Sequence, residues 1–460
     1  MKQVHLAAHF PGVNSTTIWS DPTSGSQTDL SSFVHLAQTA ERGKFDFFFL
    51  AEGLRLREHR GRIFDLDVVG RPDSLTVLAA LAAVTERIGL AATLNTTFNE
   101  PYELARQFAS LDHLSDGRAA WNAVTSPDAF TGENFRRGGF LPRDERYDRA
   151  EELILAVRRL WDSWPEDAIG PDPGSGVFVG DPAVGRFDHR GRHFAIQGEF
   201  DVPRSPQGWP VQIQAGDSEA GRDLAAAHAD VIFSRHSGFG EGQRFYADVK
   251  GRLARFGRRP EDLKIIPAAT VVLGDSAADA AERFAYVRRQ QVSPQGAIAF
   301  LERVWGRDLS GYDPDGPLPD VDPDVDGRES ISQGRVRDGG DPREIAAAWR
   351  ARAEEQGLSI RELVVEVGTR ATFVGTPAHV AERIDTAVQA DAADGYILVP
   401  HLTPHGLDDF VDQVVPLLQE RGTFRSDYDG TTLRDHLGLP RPQQPHTPGG
   451  GREAVRSSAA

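Results

Sequence analysis

The chain has 460 residues, of which 39% are hydrophobic and 26% are charged, and its formal net charge is −17 at pH 7. This composition is typical of a globular protein with an ample apolar core, and the negative charge argues against a general binder of nucleic acid or of anionic membranes. The chain contains no cysteine, which excludes disulfides, thiolate metal sites and a cysteine nucleophile.

Targeting and membrane signals are missing from the sequence pattern. No run approaches the ~18 apolar residues that a membrane-spanning helix needs, and the start of the chain lacks the apolar stretch of a secretion signal. We therefore expect a cytoplasmic protein that has neither a membrane nor a nucleic acid as its partner.

Strand-like and helix-like patterns alternate along most of the chain. Short apolar runs predict strands that are buried on both faces, at 4–10, 45–50, 88–94, 119–124, 211–214, 231–234, 265–273 and 395–400. Amphipathic runs and capping residues predict helices at 30–42, 74–85, 101–115, 148–161, 218–228 and 242–256, after Ser276, after Thr376 and at 407–419. This alternation favours an α/β fold of the TIM (β/α)8 barrel type over a doubly wound sheet.

Two segments interrupt the alternation, and we interpret them as insertions in a single barrel domain that spans 1–440. The first, at about 164–210, is rich in Gly, Pro and Asp and contains a predicted hairpin at 187–194. The second covers about 297–370. From 441 to 460 the chain is rich in Pro, Gly and Ser with few apolar residues, which predicts a disordered tail.

The segment 214–221 joins an apolar strand to a helix through Ala215 and Gly216. A helix that begins at Asp217 or Ser218 leaves backbone N–H groups without partners at the positive end of its dipole. Together with the Ser218 hydroxyl, these donors predict a phosphate site. An ordinary capped helix explains the same residues, and this alternative stays open.

In a TIM barrel the functional residues lie at the carboxyl ends of the strands. Here these positions carry polar, hydrogen-bonding side chains: His9 (followed by Phe10), Glu52, Asn95, Thr96, Thr97, Asn122, Thr125, Gln214, Ser218, Arg235, His236 and His401. They form neither a metal-binding cluster nor a pair of catalytic carboxylates, so no metal site is predicted. Such a ring suits a cofactor whose own ring performs the chemistry. A structural role at the strand ends is the alternative for Asn122 and Thr125.

Seven stretches of the chain together carry a family resemblance: 111–118, 121–126, 146–152, 189–194, 205–218, 373–377 and 424–434. On these motifs the chain resembles the bacterial-luciferase-like flavin monooxygenases. Within them it is most similar to the group of nitrilotriacetate monooxygenase, pristinamycin synthase and dibenzothiophene-sulfone monooxygenase. The motifs keep the family's order from about residue 1 to about residue 440, so the resemblance covers nearly the whole chain.

The resemblance implies a two-component monooxygenase that receives reduced FMN from a separate NAD(P)H:flavin reductase. With O2, and through a C4a-hydroperoxyflavin, it would oxygenate a small organic substrate. The resemblance also implies that Ser218 and the backbone of 216–218 hold the FMN phosphate, and that Thr97, Asn122 and Tyr147 contact the ribityl chain or the flavin ring. A homo-oligomer is expected from the same family.

His9 and Glu52 are the predicted catalytic residues, in contact with the flavin ring or handling protons. Glu52 stands where the family usually has Asp, which keeps the charge but lengthens the side chain. The loop 55–62 is unusually basic, and is either a solvated loop or an attractant for an anionic substrate. Two other functions stay open: hydride transfer with the deazaflavin F420 on the same barrel, and a non-catalytic flavin-binding barrel.

Overall fold

A computed structural model describes residues 1–12, 14–63, 70–126, 129–135, 145–166, 168–180, 183–325, 332–333, 340–369 and 371–444. Within this part of the chain, eight parallel strands form a closed barrel: β1 (His5–His9), β2 (Phe47–Leu50), β3 (Gly89–Asn95), β4 (Ala119–Val124), β5 (Val211–Gln214), β6 (Val231–Ser234), β7 (Lys264–Ala269) and β8 (Gly395–Leu398). Each strand pairs with the next one along the chain, and β8 pairs with β1. The predicted TIM barrel is confirmed.

The described residues form helices, most of which cover the outside of the barrel. They are α1 (Leu30–Arg42), α2 (Ser74–Ala82), α3 (Pro101–Leu114), α4 (Glu145–Trp161), α5 (Glu219–His228), α6 (Phe239–Arg252), α7 (Ala277–Gln291), α8 (Pro294–Trp305), α9 (Pro342–Gln356), α10 (Ile360–Gly368), α11 (Pro377–Gln389), α12 (Asp408–Gln413), α13 (Val415–Glu420) and α14 (Leu433–His436). Their apolar faces pack on the outward side chains of the strands, as Phe108 of α3 does on Trp121 of β4. No helix among the described residues is long and apolar enough to span a membrane.

The closure of the barrel between β1 and β8 requires a glycine. His5 pairs with Gly395 and Ala8 pairs with Leu398. A Cβ atom on residue 395 would collide with the carbonyl oxygen of His5, so a larger residue would force the two strands apart. Gly395 therefore sets how closely the last strand approaches the first.

Two elements that the sequence pattern predicts as continuous are divided in the structure. The strand predicted at 265–273 is divided: β7 stops at Ala269, and Val271–Leu273 pairs outside the barrel with Phe373–Gly375. The helix predicted at 407–419 is divided into α12 and α13. Pro416 explains this break, because proline has no N–H to donate to the preceding turn and its ring crowds the carbonyl four residues earlier.

Extra structure lies in the two segments that we interpret as insertions. The first contains two antiparallel hairpins, formed by Ile169–Asp172 with Val177–Val179 and by Arg186–Arg190 with Ala195–Glu199. The second contains α8, α9 and α10, which share a separate apolar core around Leu301, Trp305 and Ile360. The division into one domain with two insertions stays a prediction, and residues 445–460 of the predicted tail lie outside the described residues.

The C-terminal segment closes the amino end of the barrel. Leu433, Leu437 and Leu439 belong to the apolar cluster inside the barrel. On the same side, the guanidinium of Arg425 donates to Asp46 just before β2, at 2.5 Å. Arg434 donates to Asp230 just before β6, at 2.8 Å. The opposite end of the barrel, where the carboxyl ends of the strands lie, therefore remains open. We call this end the mouth of the barrel.

Candidate active site

The mouth of the barrel has an aromatic base. Ala7 of β1 lies in the apolar cluster inside the barrel, so strand alternation turns His9 inward as well. The ring of His9 lies 5.4 Å from that of Phe49 in β2, and Phe49 stacks on Phe233 of β6 at 5.5 Å between centroids. This surface suits a planar organic ring.

His9 is a buried histidine with an unused ring nitrogen. Its side chain is 9% exposed, and its Nδ1 has no hydrogen-bond partner among the described residues. Burial, assisted by the positive charge of Arg71, lowers the pKa of His9 to about 3. His9 is therefore a neutral imidazole near pH 7, able to donate or accept one hydrogen bond but unable to act as a cationic acid.

Glu52, just beyond β2, contacts Asn95 at the end of β3. The Asn95 amide Nδ2 lies 3.3 and 3.2 Å from the two carboxyl oxygens of Glu52. The other end of that amide accepts from the backbone N–H of Phe98 at 2.7 Å, which fixes its orientation. Burial raises the pKa of Glu52 to about 7 although the hydrogen bonds from Asn95 oppose the shift. Glu52 therefore exchanges a proton near neutral pH.

Asn122 of β4 also faces the interior. Its Nδ2 donates to Thr93 Oγ1 of β3 at 3.0 Å, and its buried Oδ1 has no partner among the described residues. Above it, Thr97 Oγ1 accepts from the backbone N–H of Ser126 at 3.2 Å, which ties the loops after β3 and β4 together. Thr125, next to that contact in the chain, is half-buried. The mouth thus brings His9, Glu52 and Asn122 to one end of the barrel.

A second group surrounds the turn between β5 and α5. The hydroxyls of Tyr147, on α4, and Ser218 lie 2.8 Å apart. Ser218 is the N-cap of α5 and accepts from the N–H of Gly221 at 3.2 Å. The backbones of Gly216 and Gly221 lie so close that a Cβ on either would come within 2.9 Å of the other. This tight turn presents the first N–H groups of α5 outward, a suitable anion site.

The side chain of Asp217 is held by two side chains that follow β6. Its carboxylate lies 3.2 Å from Arg235 Nη2 and 2.9 Å from His236 Nε2, and His236 also contacts Glu241 at 2.6 Å. Because these contacts engage the side chain of Asp217, only its backbone is left to contribute to the anion site at the turn. Ala215, two residues earlier, is half-buried.

Phe10 lies apart from the other predicted residues. Its ring stacks on Phe33 of α1, with 4.0 Å between centroids, in the layer between the barrel and the helices. The structure shows it supporting the wall of the mouth, and a cofactor contact from Phe10 stays a prediction.

Several residues of the site were not predicted from the sequence pattern. They are the aromatic rings Phe49 and Phe233, the partner hydroxyl of Thr93, and Gly221. Alternation within β2, β3 and β6, which turns every second side chain into the barrel, was the signal that could have identified the first three. The contact between Gly216 and Gly221 has no local signal, because it depends on how the helix folds back on the strand.

The basic loop at 55–62 is mostly neutralised by other parts of the protein. Arg55 stacks over Phe130 at 3.4 Å and pairs with Glu133 at 2.9 Å. His59 and Arg60 both contact Glu302 of α8, at 2.5 and 3.2 Å. These contacts hold the loop against the second insertion segment.

A cavity of about 110 Å³ lies between this loop and the helices of that segment. Its lining combines charged side chains of both signs with polar and apolar ones: Ser15, Arg57, Glu58, His59, Gln291, Val292, Gly296, Ala299, Phe300, Arg303, Val364, Gly368 and Thr369. This mixture suits a small molecule that has both a polar and an apolar part.

Comparisons with known proteins identify the family of the chain. The family model described as luciferase-like monooxygenase matches residues 11–395. N-acetyl-S-(2-succino)cysteine monooxygenase of Bacillus subtilis (strain 168) is 40% identical, over 96% of this chain and 98% of its own. Nitrilotriacetate monooxygenase component A of Aminobacter aminovorans is 41% identical, over 90% and 91%.

A solved structure agrees as well. The crystal structure of a riboflavin lyase with modified FMN and the substrate riboflavin superposes with a TM-score of 0.78 at 31% identity, over 96% of this chain and 97% of that one. The resemblance found in the motifs is thus confirmed over nearly the whole length. The chain belongs to the luciferase-like monooxygenase family and is a flavin-dependent monooxygenase.

Proposed function

We propose that this protein is an FMN-dependent, two-component monooxygenase that uses reduced FMN and O2 to oxygenate a small organic substrate. The main support for this proposal is the turn between β5 and α5. Gly216 and Gly221 are in close contact there, and the hydroxyls of Ser218 and Tyr147 converge beside the helix start. FMN differs from riboflavin by its phosphate, the group that such a turn selects.

The residues of the mouth fit FMN. Its phosphate would be held by the backbone of 216–218 with the hydroxyls of Ser218 and Tyr147. The free hydrogen-bonding atoms of His9 and Asn122, both buried, suit the polar edge of the ring or the ribityl chain. The aromatic base suits the apolar face of the ring. The riboflavin lyase that superposes on this chain was solved with modified FMN, which supports the same choice.

The chemistry is divided between the cofactor and the protein. Bound reduced FMN supplies the electrons that activate O2, with one oxygen atom entering the substrate and the other leaving as water. The protein orients the reactants and excludes water from a site lined by His9, Phe49 and Phe233. Glu52, with its pKa of about 7, holds or releases a proton at its carboxyl group at working pH.

The substrate would occupy the cavity beside the basic loop. Arg57, Arg303 and Glu58 give this cavity charged groups of both signs, and Phe300 gives it an apolar part. A small organic substrate with both polar and apolar groups therefore fits better than a pure hydrocarbon.

A separate reductase would deliver the reduced FMN. The Aminobacter relative is named as component A, which supports a system of more than one protein. We propose an NAD(P)H:flavin reductase as the other component of this system. The homo-oligomeric state and the cytoplasmic location stay predictions.

The proposal predicts that the phosphate dominates the binding of reduced flavin. Anaerobic titrations should show reduced FMN binding on the order of 100-fold more tightly than reduced riboflavin, because charge-assisted hydrogen bonds contribute about 1.5–3 kcal/mol each. Ser218→Asp should abolish this difference through repulsion of the phosphate. Ser276→Asp is the matched control, since Ser276 caps α7 in the same way outside the mouth.

The same samples distinguish the other functions. Mixed with oxygenated buffer, the protein with reduced FMN should consume O2, which an oxygen electrode records. Tight binding of F420 without O2 consumption would show hydride transfer instead. Binding of FMN with unchanged oxidation kinetics relative to free flavin would show a non-catalytic flavin-binding barrel.

A further inference from the structure

A cluster of metal-ligating side chains lies outside the barrel mouth. His35 projects from α1, and His405 and Asp408 follow β8, at the start of α12. His35 Nε2 lies 2.9 and 3.1 Å from the two carboxyl oxygens of Asp408. His405 Nδ1 lies 3.1 Å from His35 Nε2 and 3.2 Å from Asp408 Oδ2. Three potential ligand atoms therefore converge on one point.

The separations match the geometry of a zinc site. Tetrahedral Zn²⁺ has bonds to nitrogen and oxygen of about 2.0–2.1 Å, which place neighbouring ligand atoms about 3.3 Å apart. His35 Nε2, His405 Nδ1 and Asp408 Oδ2 are 3.1–3.2 Å apart, so the three atoms need to separate only slightly to bind such an ion. Two imidazole nitrogens with one carboxylate are a ligand set that suits zinc better than Mg²⁺ or Ca²⁺.

The surroundings of the cluster support the same assignment. Thr39 Oγ1, one turn along α1 from His35, donates to Asp408 Oδ1 at 3.1 Å and orients the carboxylate. Such outer partners are typical of metal sites. The side chain of His405 is 54% exposed and that of Asp408 is 31% exposed, which leaves a fourth position accessible to water.

We propose that His35, His405 and Asp408 form a zinc site that joins α1 to the segment after β8. This segment also contains His401, at the carboxyl end of β8 in the barrel mouth. The site is separate from the flavin-binding residues, and the inference does not depend on the proposed function. A bound ion would stabilise the folded chain by linking two elements that are far apart in sequence.

Titration calorimetry with ZnCl2 alone, on the full chain freed of metal, tests the proposal. One Zn²⁺ per chain should bind to the wild type. His405→Ala should weaken this binding by at least 100-fold, and Thr39→Val by roughly tenfold, the range for loss of an outer partner. His379→Ala, an exposed histidine of α11 away from the cluster, is the matched control and should leave binding unchanged.

A second readout detects the geometry directly. Co²⁺ in place of Zn²⁺ should give the intense visible absorption of tetrahedral cobalt in the wild type and not in His405→Ala. Added Zn²⁺ should raise the melting temperature of the wild type and of the His379→Ala control, but not that of His405→Ala. If no stoichiometric Zn²⁺ binds, or if His405→Ala binds as the wild type does, the three side chains form a hydrogen-bond network and the proposal is wrong.

Discussion

Glu52 shows how burial changes the chemistry of one residue. In water its carboxyl would be ionised at pH 7, but at the barrel mouth burial raises its pKa to about 7. The folded chain thus favours the protonated carboxyl of Glu52. In the unfolded chain, this carboxyl loses its proton above its ordinary pKa. The stability that this group contributes is complete below a pH of about 4.5 and is lost as the pH rises through about 7.

We predict that Glu52→Gln removes this pH dependence. Glutamine stays neutral, so the stability of the variant relative to wild type should increase from about pH 4.5 to about pH 7 and stay constant at higher pH. Thermal melting of both proteins across this range measures the difference. A difference that does not change with pH would show that the carboxyl of Glu52 titrates as it does in water.

The motif residues 111–118, which carry part of the resemblance, have structural roles. The guanidinium of Arg118, 3% exposed, donates to the backbone oxygens of Ala82, Thr85, Ile88 and Ser115. The buried carboxylate of Asp112 accepts from the side chain of Gln207 at 2.6 Å and from the N–H of Ala119 at 3.0 Å. These residues hold α3 against β4, so their pattern identifies the fold and reveals little about the substrate.

At the scale of elements, the turn from β5 to α5 is the part of the fold that the sequence predicts best. The Ser218 cap and the strand before it are where the pattern placed them. The two divided elements, after β7 and at Pro416, show the limit of such patterns. Apolar residues continue past Ala269 because they enter a second small sheet, and periodicity does not record which sheet a strand joins.

We predict that Gly221→Ala weakens the binding of reduced FMN about tenfold and lowers the free energy of unfolding by about 1–3 kcal/mol. The added methyl would meet the backbone of Gly216 at 2.9 Å and open the turn. Anaerobic flavin titration and denaturant unfolding measure the two effects.

Gly251→Ala is the matched control for this change. Gly251 lies in α6 with nothing within 4 Å of its added Cβ, so alanine should preserve flavin binding and stabilise the helix by up to about 1 kcal/mol. Equal flavin affinities for Gly221→Ala and Gly251→Ala would contradict the role of the turn in binding.

At the scale of the whole molecule, the two ends of the barrel have different roles: the amino end contributes to stability and the carboxyl end holds the active site. The C-terminal segment fills the amino end with Leu433, Leu437 and Leu439, and Arg425 and Arg434 anchor it to Asp46 and Asp230. Burial would raise the pKa of Asp46, but the positive charge of Arg425 and contact with His5 lower it to about 2. The carboxyl end keeps the polar residues of the active site.

This separation predicts that Leu437→Ala destabilises the protein without affecting flavin binding. Leu437 is fully buried, and truncation of such a leucine costs about 2–5 kcal/mol. Denaturant unfolding should show this loss, while the Kd of the folded variant for reduced FMN stays within a factor of two or so of the wild type. A large change in Kd would mean that the two ends of the barrel are coupled.

The sequence by itself determined the barrel, the strand-end positions of His9, Glu52 and Asn122, and the capped turn at Ser218. It could do so because alternation, helix periodicity and capping are local properties of the chain. Only the tertiary structure decided that Tyr147 reaches Ser218, that Glu302 pairs with the basic loop, and that His35 meets His405 and Asp408. These contacts join residues 71 to 373 positions apart, and their energy depends on burial and distance that no local pattern contains.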